Sequence, residues 1–62
     1  MTDYEQKLFE LENTNAEVDT FESANNCLVI QYFVNSYFCI EFIYSQDGIF
    51  LKQHEINAYP TP

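Results

Sequence analysis

Sixty-two residues make one small domain, residues 1–62, and a domain of this size buries only ~60% of the surface its unfolded chain exposes. Ten acidic residues against two lysines, a formal net charge of −8, exclude direct binding of nucleic acid or an anionic membrane and favour a basic partner. Two cysteines and one histidine in no zinc-binding spacing exclude a disulfide framework and a structural metal site, and no cofactor is expected.

Residues 3–13 read as a helix. Tyr4, Leu8 and Leu11 recur at i, i+4 and i+7 and form one apolar stripe. Thr2 or Asp3 is the cap, and Asp3 and Glu5 suit the positive end of the helix dipole. Asp3 and Lys7 are spaced as an i, i+4 ion pair. Asn13-Thr14-Asn15 stops the helix, because these side chains compete for backbone hydrogen bonds. Phe9 lies off the stripe, on the helix surface between Glu5 and Glu12. It is either a packing contact under a later loop or a binding anchor.

Residues 16–22 alternate Val18 and Thr20 with Glu17, Asp19 and Phe21, which suits an edge strand defended by acids; a short second helix is the rival. Ser23-Ala24-Asn25-Asn26 is turn chemistry. Three strands follow, over 27–34, 37–45 and 49–56, rich in β-branched and aromatic residues. Asn35-Ser36 stands at the first tip and Asp47-Gly48, a strong hairpin signal, at the second. Residues 57–62, with Pro60 and Pro62, form a tail that cannot continue a central strand. The expected fold is α+β: an N-terminal helix packed in two layers on a three- or four-stranded antiparallel β-meander.

A three-residue first loop and a two-residue Asp-Gly turn set the faces. Leu28, Ile30, Tyr32, Phe38, Ile40, Phe42, Tyr44, Ile49 and Leu51 then share the face under the helix. Gln31, Glu41, Lys52 and His54 share the other with Val29, Phe33, Tyr37, Cys39, Ile43 and Phe50. That outer face is too apolar to be fully solvated, and Val29, Phe33, Ile43 and Phe50 make a candidate homodimer face.

Catalysis finds little support. In this register His54 can pair with Glu41, but on a small sheet such a pair is more often surface polarity than a general acid–base dyad. A single glycine, Gly48, makes no phosphate loop, and no calcium-loop spacing exists. The start, Met1-Thr2-Asp3-Tyr4-Glu5, lacks the basic and apolar regions of a secretory leader, so the cytoplasm is expected, a host's if the chain is phage-encoded.

Charge is unevenly placed. Asp3, Glu5, Glu10, Glu12, Glu17, Asp19 and Glu22 precede residue 23 and face only Lys7. On a helix, Glu5/Glu12 and Asp3/Glu10 are i, i+7 pairs about 10 Å apart, so fixed carboxylates imitate spaced phosphates. In size, charge and aromatic content alone, the chain resembles the small acidic inhibitors that phages and mobile elements use in counter-defence against nucleases and other nucleic-acid-binding proteins. The expected function is a non-enzymatic inhibitor or modulator. It would bind a basic nucleic-acid-handling protein through Glu5, Glu10, Glu12, Glu17, Asp19 and Glu22, anchored by Phe9, Phe21 or Tyr37. The rivals are a homodimeric assembly module whose acids only give solubility, and an antitoxin or immunity protein for a basic toxin.

Overall fold

The computed structural model describes residues 1–57; the Pro-containing tail lies otherwise outside the described residues. One helix, α1 (Asp3–Asn13), precedes four strands: β1 (Glu17–Glu22), β2 (Leu28–Asn35), β3 (Phe38–Tyr44) and β4 (Phe50–Asn57). The strands form one antiparallel sheet in sequence order, and α1 packs on one face, so the fold is α+β in two layers. Residues 17–22 are therefore a strand, and β1 and β4 are the two edges.

Thr2 caps α1 through a complete capping box. Its Oγ1 accepts the Glu5 N–H at 3.1 Å, and its own N–H donates to Glu5 Oε1 at 3.0 Å. Two orphan donors of the first turn are thus satisfied. Leu11 is buried with Ile30, Phe42 and Tyr44, and Tyr4, Leu8, Ala16, Val18, Leu28, Tyr32 and Ile40 pack around them. Tyr4 meets Tyr44 edge-on at 5.5 Å. The stripe read from the sequence is the stripe that packs.

The bodies of the strands hold the expected register. Ile30 lies opposite Phe42, Gln31 opposite Glu41, and Glu41 opposite His54. Both β2–β3 and β3–β4 loops differ from expectation by one residue. The β2–β3 loop has two residues, Ser36-Tyr37, since Asn35 pairs with Phe38, and a bulge at Val34 restores the register. The β3–β4 loop has three, Gln46-Asp47-Gly48: the Ser45 N–H donates to Ile49 O at 2.8 Å, and the Gly48 N–H to Ser45 O at 2.8 Å. Gly48 is left-handed, φ 87°, as such a loop requires. Tyr44 then pairs with Phe50, and the register shifts there by one residue, leaving Leu51 as the extra one. Phe50 therefore belongs to the helix face, not the outer face, while Ile49 and Leu51 leave the face assigned to them.

The β1–β2 loop is built the same way. Ser23 N–H donates to Cys27 O at 2.8 Å, and Asn26 takes the left-handed position, φ 61°. In both loops the serine Oγ accepts the N–H four residues on, Cys27 at 3.3 Å and Ile49 at 3.1 Å.

Candidate protein-binding surfaces

Three surfaces follow from this layout. The first wraps the β1 edge. Antiparallel partners share a face, so Glu17, Asp19 and Phe21, opposite Phe33, Gln31 and Val29, lie on the outer face. Glu22 lies on the helix side. Glu12 and Glu5 stand on the flank of α1 turned away from β4, with Phe9 outermost at 59% exposure. The carboxylates of Glu12, Glu17, Asp19 and Glu22 are exposed and make no hydrogen bond or ion pair with any described residue.

Three of the early acids have structural work instead. Glu5 closes the capping box, and the Thr2 backbone and hydroxyl hydrogen bonds hold its carboxyl below the usual range. Glu10, rather than Asp3, pairs with Lys7, at 3.3 Å. Asp3 reaches across to the sheet, where its Oδ2 accepts the Phe50 N–H at 3.0 Å. The acidic set read from the sequence thus divides into partnered and unpartnered groups.

The second surface is the outer sheet face. A polar row, Asp19–Gln31–Glu41–His54, runs across all four strands. Apolar rows flank it: Phe33, Cys39 and Ile56 on one side, Phe21, Val29 and Ile43 on the other. Glu41 accepts a hydrogen bond from Gln31 Nε2 at 2.8 Å, and no bond joins it to His54 among the described residues. Burial, helped by Glu41, pushes the Cys39 thiol up, away from nucleophilic thiolate character. Both cysteines are free. Of the candidate dimer face, Val29 is already 3% exposed, Phe33 and Ile43 are half-buried, and Phe50 is on the opposite side. Tyr37 sits at a loop tip, where its N–H donates to Asn35 Oδ1 at 2.8 Å.

The third surface was not anticipated. A groove of about 340 Å³ separates α1 from β4. Asp3, Gln6, Lys7 and Glu10 form the helix wall, Phe50 and Gln53 the strand wall, and Phe42 and Tyr44 the floor. Lys7 Nζ lies 5.0 Å over the Phe42 ring, and Tyr44 meets Phe50 edge-on at 5.6 Å. Burial first, then Asp3 and Glu10, push the Tyr44 phenol up to about 12, so the floor stays uncharged. The signal for the helix wall is the i, i+3, i+7 spacing of Asp3, Gln6 and Glu10 beside the apolar stripe, which puts them on one helix flank. The strand wall was hidden because the face of Phe50 depends on loop length.

No helix among the described residues is long and apolar enough to cross a membrane. No group of three metal-binding side chains occurs among them either. No family model, curated protein or solved structure matches the chain.

Proposed function

We propose that this chain is a small non-enzymatic binding protein that inhibits or modulates a basic nucleic-acid-handling protein, such as a nuclease, in the manner of phage or mobile-element counter-defence. The supporting observation is the set of carboxylates with no partner among the described residues: Glu12 on α1 and Glu17, Asp19 and Glu22 on β1. They are fixed to a helix and a strand, so their spacing is set: Glu17 and Asp19 stand ~7 Å apart along one face. Phe9 and Phe21, both exposed, stand beside them as area for an anchor, while the acids supply steering and orientation. A partner bound this way loses affinity with salt, because the contact replaces screened charges.

The test is retention of lysate proteins on the immobilised chain, identified by mass spectrometry, then displacement of labelled duplex DNA from the protein retained. Elution by salt is expected, and so is loss of retention in a variant carrying Glu12→Gln, Glu17→Gln, Asp19→Asn and Glu22→Gln. Salt-insensitive retention that survives all four changes would overturn the reading. The second reading is a homodimer through the outer face, favoured by the half-buried Phe33 and Ile43 beside exposed Phe21 and Ile56. Sedimentation as a monomer at micromolar concentration removes it.

A further inference from the structure

The two edges of the sheet are treated differently. β1 is six residues long and carries three acids, which discourage pairing with other strands. β4 is eight residues long and exposed at every position. Its outer hydrogen-bonding edge has no neighbouring strand among the described residues, and Asp3 Oδ2 occupies one donor at its start, the Phe50 N–H. The groove runs along the helix side of that edge.

Charge differs across β4. On its helix side stand Asp3, Glu10 and Glu55, the last opposite Ile40. The one cation there, Lys7, is committed to Glu10 and to the Phe42 ring. On its outer side stand Lys52 and His54, opposite Ile43 and Glu41. Lys7 itself shows how the groove holds a cation, laid over an aromatic ring beside a carboxylate, an arrangement worth more as water is excluded. Tyr44 and Phe50 continue the aromatic lining.

A second copy fits poorly. Antiparallel pairing of β4 with β4 about a two-fold axis brings like faces together. It would set Asp3, Glu10 and Glu55 of both copies along one seam, in chains that each carry −8.

We propose that the β4 edge accepts an extended segment of another protein by strand addition. Basic side chains at every second position of that segment enter the α1–β4 groove, and uncharged or acidic residues at the intervening positions lie beside Lys52 and His54. Main-chain hydrogen bonds supply affinity, and the alternation supplies specificity. The site stands apart from the β1-side carboxylates, so it holds whether or not those meet a partner.

The test uses the full chain, labelled for amide NMR, and peptides of equal composition about the length of β4, eight residues. One peptide alternates Arg and Thr; the other has its Arg and Thr in two blocks. The alternating peptide is expected to shift the amides of residues 50–57 and to bind about tenfold more tightly than the block peptide at ~50 mM salt. Glu10→Gln with Glu55→Gln, both exposed positions, should weaken it about fivefold. N-methylation of alternate peptide nitrogens, in the register that removes the inward N–H groups, should abolish it. Equal binding of the two peptides would overturn the proposal, because charge alone would then suffice. Shifts confined to residues 12–22 would overturn it too, while leaving the β1-side reading intact. A dimer through β4 that the alternating peptide does not dissociate would give the edge to a second copy and end the proposal.

Discussion

A Cβ at position 48 would lie 2.6 Å from the Thr2 Cβ. The glycine is needed for that approach as well as for its φ of 87°, a region L side chains avoid. Gly48 O also accepts the Tyr4 N–H at 3.0 Å, so the turn supplies an acceptor to the first helical turn. Gly48→Ala should therefore cost more than about 1 kcal/mol in denaturant unfolding. Asn26 tests the conformational part alone, because it holds the same left-handed position in the β1–β2 loop. Asn26→Gly should raise stability by roughly 0.5 kcal/mol. Equal, small effects at both positions would mean that the contact with Thr2 is slack. Asp-Gly was legible as a turn from the sequence alone. Its packing against residue 2 was not, since nothing local relates two positions so far apart in the chain.

The elements were legible to different depths. The stripe of α1 and the alternation of β2 and β3 each select one face, and a slip by one residue would turn Ile30 and Phe42 to solvent. Hence the strand bodies matched their expected register. The loops did not, because one loop residue exchanges for one bulge residue with no change in the strand body. A two-residue turn after β3 and a three-residue turn followed by a bulge at Leu51 both place His54 opposite Glu41. The second is stabilised by the Ser45 hydroxyl, by left-handed Gly48, and by Phe50 packing on Tyr44 with its N–H on Asp3. The groove exists because of that choice. At the other end of this contact the capping box orders the helix start, and Thr2→Ala should cost about 1 kcal/mol at neutral pH. The Glu5 carboxyl is held below its usual range, so its stabilisation is complete above that range and is lost as pH falls through the lowered value. Thermal melts from neutral to acid pH should show a shallower acid limb in Glu5→Gln, which removes the titrating acceptor of the Thr2 N–H, than in the parent. Parallel limbs would mean that the reciprocal bond contributes nothing in solution.

At the scale of the whole molecule, charge and stability pull in opposite directions. Nine of the ten acidic side chains are exposed, and Lys7–Glu10 is the one ion pair among the described residues. A chain of net charge −8 with a small core repels itself when folded, and salt relieves that repulsion within a Debye length of ~8–10 Å near physiological ionic strength. Raising salt should therefore raise the denaturation midpoint, the reverse of what a fold held by surface ion pairs would show. The same argument applies to the four unpartnered acids. Glu12→Gln, Glu17→Gln, Asp19→Asn and Glu22→Gln together should leave the fold as stable or make it more stable, by up to about 1 kcal/mol at low salt. If those carboxylates are kept for a partner, the variant is a well-folded protein that has lost its binding. If it instead unfolds more readily, they belong to the architecture, and the case for a carboxylate interface on β1 fails with it. Denaturant titration of parent and variant at two salt concentrations separates the two outcomes before any partner is in hand.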